Sequence, residues 1–346
     1  MLTRSQLSDL LEQHAQPSYR VNQILDWIYK KRVHSWEGMS NLPSELRESL
    51  SADFPLRPLS HVLTKGSRDT TRKFLLKLAD GRYVETVLIP ASPALYGETS
   101  DRHTLCVSSQ VGCAYGCKFC ASGLDGFTRN LTAAEIVSQI LLVEELSGEK
   151  VNNLVFMGMG EPLANFENLC QALEIITAHW GLGIGARRIT VSTSGLVPQI
   201  KKLAELPQQI RLAISLHGPN DETRSQIMPV NRKYPVADLF DALEVWNSKK
   251  NQKITLEYIL IDGINSHIDH ARELVQRAKS IRAKVNLIPY NTVEGLPWVR
   301  PTDQDCLSFK KVLTNGGISA TLRLEKGHDI DAACGQLRLK KEQGTL

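Results

Sequence analysis

In Leu105-Cys106-Val107-Ser108-Ser109-Gln110-Val111-Gly112-Cys113-Ala114-Tyr115-Gly116-Cys117-Lys118-Phe119-Cys120 a short apolar run of strand length leads into a glycine-punctuated loop carrying three cysteines. A capping box, Thr132-Ala133-Ala134-Glu135, then opens a helix with apolar positions at Ile136, Ile140, Leu141 and Val143. Strand, loop and helix make one βα unit. Its thiols stand at the carboxyl end of the strand, which is where βα barrels carry their chemistry.

The same alternation of short apolar runs and amphipathic stretches continues from Thr104 onward, with strands expected at Leu105–Ser108, Leu154–Met157, Ile189–Ser192, Leu212–Ser215, Ile254–Ile261 and Val285–Ile288. Six such units suffice for an open barrel, so the fold class is α/β, a partial (β/α)6 barrel. Upstream, Val21, Ile24, Leu25 and Ile28 repeat at helical spacing, and Pro43 is placed to open a second helix over Ser44–Leu50. Arg72–Leu78 and Arg82–Ile89 flank Asp80-Gly81, a hairpin-turn dipeptide. Pro90 to Asp101 reads as a linker. The expected organisation is therefore a helical accessory domain over residues 1–55, a β-hairpin and linker extension over 56–100, the barrel core with its carboxyl-terminal segment over 101–335, and a tail over 336–346.

The three thiols in C-x3-C-x2-C spacing point to iron and sulfur. A 4Fe-4S cluster has four corners for soft ligands, so three thiolates, Cys113, Cys117 and Cys120, leave one iron open to a non-protein ligand. S-adenosylmethionine (SAM) is the usual occupant in radical chemistry. Zinc is the rival: Cys106 would supply the fourth ligand, but no second C-x2-C knuckle exists. A disulfide framework fails on density, with seven cysteines in 346 residues.

Each expected strand ends in small or polar residues: Gly158-Met159-Gly160-Glu161, Ser192-Thr193-Ser194-Gly195, Ser215-Leu216-His217 and Pro289-Tyr290-Asn291. Glycines let backbone approach a ligand closely, Glu161 offers an acceptor for a ligand amine, and Ser192, Ser215, His217 and Asn291 offer groups for ribose, carboxylate and adenine. Each has a blander reading as a tight turn or a satisfied strand end, so their joint position carries the weight. Cys170 and Cys306 fall within amphipathic helices and read as packing residues. Cys334, between alanines and a glycine, suits either a small buried hydrophobe or a tail that approaches substrate.

The formal charge of +4 permits a polyanionic partner without demanding one, and basic pairs such as Arg187-Arg188 and Lys201-Lys202 are scattered. No window approaches the roughly 18 apolar residues of a membrane span. A reduced-thiol, cytoplasmic setting without a membrane is expected.

The stretch Leu105–Cys120, with Gly126-Phe127-Thr128-Arg129-Asn130-Leu131, Met157-Gly158-Met159-Gly160-Glu161-Pro162 and Asp329-Ile330-Asp331-Ala332-Ala333-Cys334-Gly335-Gln336-Leu337, resembles the radical SAM RNA methyltransferases of the RlmN/Cfr family. The resemblance implies methylation of an adenine ring carbon, C2 in RlmN and C8 in Cfr. Direct nucleophilic transfer cannot join two electrophilic carbons, hence the radical route. It also implies two molecules of SAM per turnover, with Cys334 methylated first and its S-methyl group then added to the ring. Cys106 would release the resulting protein–RNA adduct by forming a disulfide with Cys334. Glu85, in Val84-Glu85-Thr86-Val87, matches the proton-abstracting base, against a plain reading as a strand carboxylate. Gly160, Glu161, Ser192, Ser215, Leu216, His217 and Asn291 match the SAM-binding positions. The implied substrates are an adenosine in the peptidyl transferase centre of 23S rRNA and the adenosine beside the anticodon of tRNA, gripped by the helical module and splayed from the stack. An electron donor such as flavodoxin and a thiol reductant would serve the cycle. Pro162 leans toward RlmN over Cfr, whereas His328 departs from the acidic residue common in RlmN. Outside the class, the alternative is a zinc-stabilised RNA-binding protein without catalysis.

Overall fold

The computed structural model describes residues 3–91, 102–123, 126–291, 293, 295–323 and 330. Three helices open the chain: α1 (Arg4–Gln13), α2 (Tyr19–Leu25) and α3 (Ser44–Asp53). The first was not expected, although Thr3 and Gln6 form a capping box at its start. Beyond α2 the helix widens into a π turn over Asp26–Lys30, closed by the bond from Lys31 N–H to Asp26 O. Leu7, Leu11, Val21, Ile24, Leu25, Leu46 and Leu50 bury the shared face of these helices.

Strands β1 (Leu59–Gly66), β2 (Arg72–Leu78) and β3 (Tyr83–Pro90) form an antiparallel meander. The β2–β3 turn falls at Asp80-Gly81 as its sequence predicts, with Gly81 at φ +86°. Strand β4 (His103–Cys106) pairs antiparallel with β3, Cys106 facing Val87 in register. A separate ribbon, β5 (Gln110–Gly112) with β6 (Phe127–Asn130), brackets the cysteine loop. The βα repeat then runs α4 (Ala133–Ser147), β7 (Asn153–Phe156), α5 (Phe166–Thr177), β8 (Ile189–Thr193), α6 (Val197–Glu205) and β9 (Arg211–Ser215). Two helices, α7 (Asp221–Ile227) and α8 (Val236–Lys249), precede β10 (Thr255–Leu260). α9 (Ile268–Ser280), β11 (Lys284–Pro289), α10 (Asp303–Asn315) and β12 (Ala320–Leu322) complete it.

One sheet in the order β1-β2-β3-β4-β7-β8-β9-β10-β11-β12 results, parallel from β4 to β12 and antiparallel before it. The hairpin extension thus continues the barrel sheet, and β12 adds a parallel strand beyond the six expected. Strands buried on both faces need apolar side chains throughout. In β9, Leu212, Ala213 and Ile214 are fully buried, and Leu203, Leu239 and Leu243 of the covering helices are buried too.

A candidate active site at the carboxyl ends of the strands

The cysteine loop is shaped by its glycines and held at three points. Gly112 has φ +72°, and a Cβ there would lie 1.9 Å from the Gly126 carbonyl, so no other residue lets the two limbs of the ribbon meet. Cys113 N–H donates to that same carbonyl at 2.9 Å. In mid-loop, Lys118 N–H donates to Ile227 O of α7 at 2.9 Å and Lys118 O accepts from Trp298 Nε1 at 2.8 Å.

The neighbouring strand ends are stitched to the loop's approach. Ser108 Oγ donates to Glu85 O at 2.6 Å and accepts from Met159 N–H at 2.9 Å. Gln110 Oε1 accepts from Glu161 N–H, Gln139 makes two hydrogen bonds with the Ser108 backbone, and Asn165 ties Ser109 O to Leu131 O. A Cβ on Gly158 would lie 2.7 Å from Ser108 Oγ, and one on Gly160, at φ +96°, 2.5 Å from Gln110 Cβ. These two glycines are required by the protein's own close packing, as their reading as a tight turn implies.

A single cavity of about 320 Å³ opens among these ends. Its walls include Cys106, Cys113, Cys117, Cys120, Gly160, Glu161, Ser192, Ser215, His217 and Asn291. Strands β3, β4 and β7 to β11 and Arg323 after β12 all contribute to it, which requires the sheet to curve, since flat strands lie about 4.8 Å apart and would spread these residues over tens of ångströms. Leu216 is buried and its side chain is not in the wall; its carbonyl accepts from Arg224 Nε at 3.0 Å. Glu85 also lies outside the wall, two residues before Val87, which lines it. There the Glu85 carboxylate is buried and sits 3.4 Å from the equally buried Lys73 ammonium. Cys334 lies outside the described residues. Cys106 has a free thiol.

Electrostatics sets the resting state of each group. Burial pushes the Cys106 and Cys113 thiols up to about 11, and Cys117 rises further still, raised also by its cysteine neighbours. Burial pulls the His217 imidazole down to about 3, helped by the Arg224 guanidinium, so the ring is neutral. Its Nδ1 accepts from Ile259 N–H at 3.0 Å, which leaves the proton on Nε2. The ring packs edge-on against Phe119 of the cysteine loop, centroids 4.8 Å apart. Burial raises the Glu161 carboxyl, opposed by N–H donors from Ser194 at 2.6 Å and Leu163 at 3.0 Å. Glu257 and Arg323, neither singled out in the sequence, also line the cavity. Their signal was too weak to read: a glutamate within an apolar strand, and an arginine after a three-residue strand.

The donor set fits an iron–sulfur cluster. Three thiols share one cavity wall, and Cys120 lies near enough to raise both Cys113 and Cys117; a bound cluster reverses that logic by favouring thiolates.

Residues 107–275 match the Radical SAM superfamily, and residues 1–55 match the Ribosomal RNA large subunit methyltransferase N-terminal domain. A probable dual-specificity RNA methyltransferase RlmN from Akkermansia muciniphila is 59% identical over 341 residues, covering 99% of this chain and 95% of that protein. The chain belongs to the RlmN family. A second RlmN relative, from Opitutus terrae, is 52% identical across 99% of the chain and 94% of its own length. The crystal structure of a radical SAM methyltransferase from Sphaerobacter thermophilus superposes with a TM-score of 0.90 at 42% identity, over 97% of both chains. The chain therefore has the radical SAM fold expected from its βα repeat.

Proposed function

We propose that this protein is a SAM-dependent radical RNA methyltransferase that methylates C2 of an adenosine in 23S rRNA and of the adenosine adjacent to the anticodon in tRNA. The observation that carries the reading is the placement of Cys106 in one cavity with the three loop cysteines and the polar strand ends. The names of the relatives, dual-specificity RNA methyltransferases, support the two RNA substrates.

A 4Fe-4S cluster held by Cys113, Cys117 and Cys120, with SAM on its open iron, would supply the electron that splits the sulfonium. Around it the protein provides fixed polar groups. The His217 Nε2–H is a neutral donor held in one tautomer by Ile259. Glu161 is kept in place by two backbone donors and retains lone pairs for an ammonium. Ser192, Ser215 and Asn291 line the same wall and suit ribose and carboxylate oxygens.

Cys334 is assigned the methyl-carrying thiolate, and Glu85 the base that removes the ring proton. The Glu85 carboxylate pairs with the buried Lys73 ammonium at 3.4 Å and would accept the ring proton as a general base. Cys106 then attacks the Cys334 sulfur, freeing RNA and leaving a disulfide that a thiol reductant must open. Its thiol is protonated at rest, and Arg323 is the charge that favours its thiolate.

Nucleoside mass spectrometry of rRNA and tRNA from a deletion strain, with and without the restored gene, tests the assignment. Loss and recovery of 2-methyladenosine is expected. Appearance of 8-methyladenosine on restoration would assign Cfr-type chemistry, and unchanged nucleosides would overturn the reading.

A further inference from the structure

Arg224, on α7, is wholly buried, yet it takes no part in the chemistry above and does not line the cavity. Among the described residues its hydrogen-bond partners are all neutral. Nε donates to Leu216 O at 3.0 Å, Nη2 to Ser194 O at 2.5 Å and Ser215 O at 3.4 Å, and Nη1 to Asn231 Oδ1 at 2.8 Å. The nearest carboxylate on this chain of contacts is Asp221, reached only through Asn231, whose Nδ2 donates to Asp221 Oδ1 at 2.8 Å. Asp221 itself is exposed to solvent, which weakens it as a counter-ion. A guanidinium taken out of water without a direct counter-ion carries a large desolvation cost even after relaxation. Carbonyl dipoles offset part of that. The remainder calls for an anion nearby.

The anion at hand is the cysteine loop. One turn beyond Arg224, Ile227 O holds the Lys118 N–H, next to Cys117, and Met228 reaches the cavity wall. Ser194 and Ser215, whose carbonyls accept from Arg224 Nη2, line the same cavity wall as Cys113, Cys117 and Cys120. Gly195 leaves room for the guanidinium, since a Cβ there would lie 3.2 Å from Arg224 Nη2, whereas Gly218 makes room for the α7 backbone, 2.6 Å from Arg224 N.

We propose that the Arg224 guanidinium is the fixed countercharge of the cysteine-held cluster, acting through space to hold its reduction potential up. The inference rests on the reading of Cys113, Cys117 and Cys120 as cluster ligands. Three thiolates make the cluster site anionic, and reduction adds a further negative charge. A buried cation stabilises the more negative state more, and low local polarity magnifies the difference. Arg224 touches no reacting atom. Its ties to Ser194, Ser215 and Leu216 also align the ends of β8 and β9, so charge and alignment must be separated.

Redox titration of the anaerobically reconstituted full-length protein, followed by the electron paramagnetic resonance of the reduced cluster and needing no RNA, separates them. Arg224→Gln removes the charge, whereas Arg224→Lys keeps it and loses the planar fork. The expected result is a midpoint potential shifted to more negative values in Arg224→Gln and retained near the wild-type value in Arg224→Lys. Equal potentials in Arg224→Gln and wild type overturn the proposal, as do equally lowered potentials in both variants, which would assign the effect to alignment. If Arg224→Gln yields no soluble protein, Arg224→Met, which removes the same charge without leaving a buried amide, takes its place: a midpoint potential below that of Arg224→Lys supports the proposal, and one equal to it overturns it. A wild-type protein that takes up no iron and sulfide would defeat the cluster reading itself, a separate result.

Discussion

At the level of single residues the site depends on charge states that burial imposes. The three cysteines were legible because spacing alone encodes a cluster loop. The tautomer of His217 was not, because the hydrogen bond from Ile259 N–H that fixes it crosses from β9 to β10. Replacing any one of Cys113, Cys117 or Cys120 with Ala is expected to leave protein without iron, acid-labile sulfide or the charge-transfer absorption near ~400 nm of thiolate-bound clusters, read on anaerobically reconstituted samples. His217 gives a pH signature in the apoprotein. Its folded pKa of about 3 lies below the ordinary 6.5, so the unfolded chain binds the extra proton between those values. Stability therefore falls on acidification through that window, by up to about 1.4 kcal/mol per pH unit. Urea melts of wild type and His217→Gln from pH 7 to 4 should converge or cross as the pH drops; parallel curves would mean that His217 titrates normally.

Among elements, the long periodic helices and the Asp80-Gly81 hairpin could be read because each satisfies its own backbone locally. Apart from α1, whose capping box is local, the misses were elements that need partners. Strand β1 alternates weakly and contains a register shift between His61 and Leu63, and β12 spans only Ala320–Leu322. The β5–β6 ribbon exists because Gly112 can pass the Gly126 carbonyl, a contact no periodicity reports. The loop after β7 packs closely against β5. Gly160→Ala places a Cβ 2.5 Å from Gln110 at φ +96°, and is expected to cost about 1–3 kcal/mol in chemical denaturation. It should also weaken SAM binding in equilibrium dialysis, because the Gln110–Glu161 bond moves with it.

For the molecule as a whole, the helical module rests on the barrel through ion pairs at the end of α4. Arg32 meets Glu144 at 2.7 Å and Arg57 meets Glu145 at 3.2 Å, with Arg72 on Glu149 nearby. These residues are far apart in sequence, so no local signal could pair them. Both partners of the Arg32–Glu144 contact are partly shielded, so a double-mutant cycle with Arg32→Ala and Glu144→Ala should give a coupling of about 0.5–1 kcal/mol. A coupling of zero would place the docking energy in apolar contacts, such as Tyr29 against Trp180 with ring centroids 6.1 Å apart. If the module grips RNA, weakening this docking should raise KM for RNA more than it lowers kcat.

The sequence by itself determined the βα alternation, the cluster loop and the polar strand ends, because spacing and periodicity are properties of neighbours along the chain. Tertiary structure alone decided that these ends face one cavity, that Glu85 is buried beside Lys73 rather than exposed, and that Arg224 sits uncharged-partnered behind the cysteine loop. Curvature of the sheet brings together residues more than a hundred positions apart, and burial, which fixes their protonation, is a property of that closure rather than of any segment.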